Sequence, residues 1–158
     1  MKNMKIVAAL GLMAGTMALA ATTPSSTLSV STTVNKTCSI STAPTALAFS
    51  NYDVYATAAT TGTSTFGVKC SKGTAYTMKL SGGDTSGVRA FSGPGTLKYS
   101  LAYSTTPWGD GATGHAAPVD MTSAGMAEAT YTINGSIAAG QDATQGSYTD
   151  TVYLTVDY

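Results

Sequence analysis

Charge is scarce in this chain. Only 10% of its 158 residues are Asp, Glu, Lys or Arg, against about a quarter in an average soluble protein. The eight basic and eight acidic residues are scattered, so no patch exists to hold nucleic acid or an anionic membrane surface. Histidine occurs once, at His115, and cysteine twice, at Cys38 and Cys70. Two thiols and one imidazole do not make a metal-ligand set, and a lone loop histidine offers no relay to activate a nucleophile. Asp84 in "GGDTSG" and Asp110 in "WGDGATG" read as turn residues, outside any repeating acidic pattern for calcium. The carboxylates include no close pair for acid–base work. No enzyme activity, cofactor or metal is therefore expected. Long apolar runs are missing as well: none reaches the roughly 20 residues that a membrane helix needs.

The first twenty residues carry a targeting signal. Lys2 and Lys5 precede the apolar stretch Ile6–Met13, and Ala18-Leu19-Ala20 supplies a small-x-small cleavage pattern. Cleavage after Ala20 leaves six basic against eight acidic residues, a net charge near −2, in a single secreted domain. In an oxidising compartment the two cysteines are expected to form a disulfide. The loop it closes, about 33 residues, is worth roughly 3–4 kcal/mol on the chain-entropy account.

What is abundant is alternation. "TLSVSTTVN", residues 27–35, places Leu28, Val30, Thr32 and Val34 on one side, the period of a strand with one apolar face. "TCSIST" continues it through Cys38 and Ile40 until Pro44, and "ALAFSNYDVY" adds a short apolar stretch. "STFGVKCS" and "TAYTMKLS", joined by Ser71-Lys72-Gly73, read as a hairpin. "GTLKYSLAYS", "ATYTINGSI" and "GSYTDTVYLTVDY" follow, the last with Val152, Leu154, Val156 and Tyr158 on one face. Trp108 suits either loop packing or an exposed contact. Seven or so short strands, no amphipathic helix and no fixed repeat predict an antiparallel β-sandwich. On alternation alone, residues 27–35 are more readily the first strand of a complete sandwich than a strand for another chain's sheet, since periodicity reports a half-buried strand and does not say whose sheet it joins.

"NKTCSIS", "VKCSKGTAYTMKL", "LKYSLAYSTTPWGDG" and the terminal "GSYTDTVYLTVDY" resemble the spore coat protein U domain family, which includes major subunits of archaic chaperone–usher pili. The resemblance implies an all-β, immunoglobulin-like antiparallel β-sandwich that lacks one strand and is completed by a donor strand from a neighbouring subunit. It divides the chain into a signal peptide (1–20), an N-terminal donor-strand extension (21–35) and an incomplete pilin domain (36–158). Leu28, Val30, Thr32 and Val34 would be the donor side chains, and Val152, Leu154, Val156 and Tyr158 would border the acceptor groove. The implied partners are identical subunits in a homopolymer, a periplasmic chaperone and an outer-membrane usher, with no nucleic acid and no membrane insertion. The implied destination is the pilus on the surface of a Gram-negative-type bacterium, in attachment and biofilm formation. One domain suits a repeating shaft subunit better than a two-domain tip. The competing reading is a self-complemented monomeric coat or binding domain. Thr32 sits awkwardly in the donor row, since its hydroxyl fills an apolar pocket less well than an aliphatic group.

These readings separate in solution. A peptide of residues 21–35 at about 100 times its Kd is expected to add roughly 2.7 kcal/mol to a domain lacking those residues, read as a higher denaturation midpoint. A monodisperse monomer indifferent to the peptide would return the strand to its own domain.

Overall fold

The computed structural model describes residues 22–158; the expected signal peptide, 1–20, and Ala21 lie outside them. The chain divides into two units, 1–33 and 34–158. In the first, residues 22–33 form no helix or strand and every residue is exposed.

The second unit holds nine strands: β1 (Cys38–Thr42), β2 (Thr60–Cys70), β3 (Ala75–Leu80), β4 (Val88–Ala90), β5 (Lys98–Tyr103), β6 (Thr106–Pro107), β7 (Val119–Thr122), β8 (Ala129–Ile137) and β9 (Leu154–Asp157). They form two sheets, one in the order β1-β2-β8-β5-β4 with β6 on β5, the other in the order β7-β3-β9. Every strand pairing is antiparallel. Alternation drives this arrangement. In β2, Ser64, Phe66, Val68 and Cys70 are buried while Thr63, Thr65 and Lys69 are exposed. In β8, Tyr131, Ile133 and Ile137 face the same core. From the other sheet, Tyr76, Met78 and Leu80 of β3 enter it. Each such large side chain contributes roughly 1.5–3 kcal/mol on burial.

The expected β2–β3 hairpin does not form. Thr74 N–H donates to Ser71 O (3.1 Å), closing a turn, but the chain then crosses to the other sheet. Both edges of β2 are taken by β1 and β8, and both edges of β3 by β7 and β9. The rows Phe66/Val68/Cys70 and Tyr76/Met78/Leu80 therefore belong to opposite layers of one core. Periodicity fixes which side is apolar but not which strand lies alongside. The disulfide Cys38–Cys70 (S–S 2.01 Å) joins directly opposed residues of β1 and β2.

Trp108 is fully buried: it packs against Phe66 and Tyr103, and its indole N–H donates to Met78 O at 3.0 Å. Beside it lies Arg89, a buried cation that forms no ion pair among the described residues. Its Nε donates to Ser81 O (3.2 Å), its Nη1 to Gly87 O (2.9 Å), and its Nη2 to the carbonyls of Leu80, Gly82 and Trp108 (3.3, 3.0 and 3.1 Å). Burial pushes the guanidinium pKa down, yet an arginine stays charged. Arg89 thus ties the end of β3, the glycine loop after it and the Trp108 backbone to β4. Arg89→Met would leave these carbonyls without their donor. The expected loss is about 2–4 kcal/mol in urea denaturation; a loss below about 0.5 kcal/mol would mean that water replaces the guanidinium.

Candidate functional site: an open groove beside the last strand

Strand β9 is hydrogen-bonded to β3 on one side, with Leu80 opposite Leu154 and Thr77 opposite Asp157. Its other edge carries no strand among the described residues. Alternation over 146–158 suggested a longer strand, but β9 spans four residues. The reason lies next door: β3 ends at Leu80, Ser81 N–H still donates to Tyr153 O (2.9 Å), and Gly82 and Gly83, both at positive φ, then turn the chain away so that no strand continues beside residues 150–152.

Beside the start of β9 lies a groove of about 1080 Å³, which reaches the strand at Leu154. Its floor is the core itself: Leu80, Leu97, Leu101, Ile133 and Ile137. One side is formed by residues 143–150 together with Val152 and Leu154, the other by the irregular segment 44–55. That segment is pinned at both ends. Thr45 N–H donates to Thr65 O (3.1 Å) and the Ser64 hydroxyl donates to Thr45 O (2.6 Å), while the Tyr52 hydroxyl donates to Ala138 O (3.0 Å) and accepts from Gln141 N–H (2.8 Å).

Between those pins, Leu47 and Phe49 pack on two glycines that face each other across β2 and β8, Gly62 and Gly135. A Cβ on Gly135 would lie 2.7 Å from Phe49 Cζ and 2.9 Å from Leu47 Cδ2, and one on Gly62 would lie 2.8 Å from Ala48 O. Two adjacent positions without side chains make the hollow that this wall occupies. Phe49 meets Phe91 and Tyr99 edge-on, with ring centroids 6.0 and 6.1 Å apart. The Tyr99 hydroxyl donates to Asp150 Oδ2 at 2.5 Å. Burial first, and then that bond, push the Tyr99 pKa up, so it remains a donor.

The expected groove-border residues divide. Val152 and Leu154 line the groove; Val156 is half-buried against the core without lining it, and Tyr158 is exposed. On β1, Ile40 lies opposite the buried Val68 but is 39% exposed, a core-facing position left partly uncovered. The expected donor residues Leu28, Val30 and Val34 are 87%, 85% and 84% exposed, and Thr32 is exposed too; residues 22–37 form no strand. Sequence reasoning missed the wall at Leu47 and Phe49. Its signal was available in the glycines of "TTGTST" and "INGSI", since glycine inside a strand pattern marks a close backbone approach.

The turn aspartates close turns. Asp84 accepts from the N–H of Ser86 (2.8 Å) and Val88 (3.0 Å). Asp110 accepts from Ala112 N–H (3.0 Å) and pairs with half-buried His115 Nδ1 (2.6 Å), and these bonds lower its pKa to about 2. Among the described residues no group of three or more His, Cys, Asp or Glu is placed to hold a metal ion.

Gly135→Ala would push Leu47 and Phe49 off the floor, for an expected loss of about 1–3 kcal/mol in urea denaturation. Gly125→Ala, whose Cβ meets nothing within 4 Å, should shift stability by less than about 0.5 kcal/mol. Equal effects would refute the close-approach account.

No curated protein matches the chain at a significant level. Among solved structures, it is similar to a chain in the crystal structure of the CsuC–CsuE chaperone–tip adhesion subunit pre-assembly complex from archaic chaperone–usher Csu pili of Acinetobacter baumannii. The TM-score is 0.53 at 24% identity, and the match covers 80% of this chain and 41% of that one. This chain therefore spans less than half the length of the one it matches. The likeness is one of fold, an immunoglobulin-like sandwich. Residues 24–155 match the Spore Coat Protein U domain, a span that takes in both cysteines, both walls of the groove and the start of β9, and the chain belongs to that family.

Proposed function

We propose that this chain is a structural, non-enzymatic subunit of a surface pilus, polymerised by donor-strand exchange. Residues 21–35 of one copy fill the groove beside β9 of the next. The observation that carries this reading is the free edge of β9 beside a groove floored by core residues. The exposed apolar row Leu28, Val30 and Val34, in a segment that joins no sheet, supports it further. An open edge of this kind takes up a strand through main-chain hydrogen bonds, with alternate side chains filling the groove. Three aliphatic side chains would contribute roughly 1.5–3 kcal/mol each, and the ladder about 0.5–1.5 kcal/mol per bond.

Family membership, and the fold shared with a chaperone-bound subunit of archaic chaperone–usher pili, support the rest of the pathway. A periplasmic chaperone covers the groove first, the outer-membrane usher exchanges it for the next subunit's donor segment, and the fibre reaches the surface of a Gram-negative-type bacterium. Attachment and biofilm formation are the roles proposed for that fibre. The division at residue 35 between donor extension and pilin domain is part of the same proposal.

Val30→Asp tests it against the self-complemented reading. A carboxylate in the donor row should abolish polymers by size-exclusion chromatography. The monomer's urea midpoint should stay within about 0.5 kcal/mol of the parent, since Val30 is exposed. A self-complemented monomer would instead lose several kcal/mol, and that result would overturn the pilus reading.

A further inference from the structure

An apolar row alone cannot set the register of an inserted strand. A slip of one residue turns the wrong face inward, but a slip of two keeps every apolar side chain on the groove side. Something else must choose between slips of two, and the two rows end in opposite charges. The donor alternation Leu28, Val30, Thr32, Val34 continues to Lys36, and the C-terminal alternation Tyr158, Val156, Leu154, Val152, which enters the groove at Leu154 and Val152, continues to Asp150. We propose that an ion pair between Lys36 of one copy and Asp150 of the next fixes the register of strand insertion. This rests on the donor-strand reading above.

Every strand pairing among the described residues is antiparallel, and an antiparallel insertion with Lys36 opposite Asp150 places Val34 opposite Val152. Thr32 then meets Leu154, Val30 meets Val156 and Leu28 meets Tyr158. Slipping two residues one way sets Val34 against the carboxylate and Lys36 against Tyr148. Slipping two the other way sets the ammonium against Val152 and leaves Asp150 unanswered. One register alone matches charge with charge.

Asp150 is prepared for this role. It lines the groove, and its two carboxylate oxygens are held by the Tyr99 hydroxyl (2.5 Å) and the Thr151 N–H (2.7 Å). Among the described residues neither Asp150 nor Lys36 takes part in an ion pair. Arg89 directs its donors to five carbonyls. Asp53, the other carboxylate on the groove, stands on the opposite wall and accepts the Tyr55 N–H. Lys36 has a defined place too. Its neighbour Thr37 is anchored to its own domain, donating to Ser71 Oγ (3.0 Å) and accepting from Ser71 N–H (2.9 Å), so Lys36 is the last residue free to reach across a junction. A partly exposed pair of this kind acts on register and rate more than on affinity, and salt screens it.

The test uses the mature chain with its disulfide formed, assembling at low salt. Lys36→Glu and Asp150→Lys should each slow polymer growth about tenfold, and the double exchange should restore it to within about threefold. Independently of charge and of any instability in the lysine variant, chains carrying Lys36→Cys are mixed under mild oxidation with chains carrying Asp150→Cys, Tyr148→Cys or Val152→Cys. The expected intersubunit disulfide forms at position 150. Polymers that crosslink at 148 or 152, or that are not restored by the double exchange, would overturn the register while leaving donor-strand exchange standing. A parent chain that forms no polymer, or a Val30→Asp chain that still does, would overturn the reading beneath it.

Discussion

A β-strand with backbone groups on one edge and nothing to bond them to is an unfinished sheet, and in this molecule the unfinished edge is also the edge of the core. Among the described residues strand β9 is held by β3 alone, and the groove beside it is floored by the same leucines and isoleucines that hold the two layers together. In most sandwiches an exposed edge is a hazard blunted by charge or a bulge. Here the flanking row is Val152 and Leu154, and the floor beside them is apolar. The other features follow from keeping such a groove open: a wall clamped at Thr45 and Tyr52, a glycine pair beneath it, and a guanidinium fixing the loop that ends β3.

The two walls are held by different means. Residues 44–55 form no strand, yet hydrogen bonds at each end and two large side chains set into a hollow hold them in place. The opposite side, 143–150, rests on aromatic contacts among Phe91, Tyr99 and Tyr148 and on the bridge between Ser92 and Thr149. Neither wall draws on the pairing edge of β9, which stays free for another strand.

Much of the sandwich was legible because a half-buried strand writes its burial into every second residue. Phe66/Val68/Cys70, Tyr76/Met78/Leu80 and Tyr131/Ile133 could each be read directly, and two cysteines in a chain expected to be exported pointed to the bond seen between β1 and β2. Neighbour choice was not legible: β3 leaves β2 for the other sheet because both edges of β2 are already filled, a property of the whole topology. The Leu47–Phe49 wall escaped notice because its apolar stretch has no partner strand, and its seat consists of two residues with no side chain at all. Trp108 could be placed on either side of the surface from sequence; the rings of Phe66 and Tyr103 and the backbone carbonyl of Met78 explain its burial.

The disulfide also has a mechanical consequence. Among the described residues strand β1 lies at the edge of its sheet, bonded to β2 alone, and it is the first strand to follow residues 22–37, which form none. Tension entering through those residues would ordinarily peel such a strand from its neighbour one hydrogen bond at a time. Cys38, the first residue of β1, is covalently joined to Cys70 at the end of β2. The pull therefore bypasses β1 and passes into β2, a strand hydrogen-bonded along both edges.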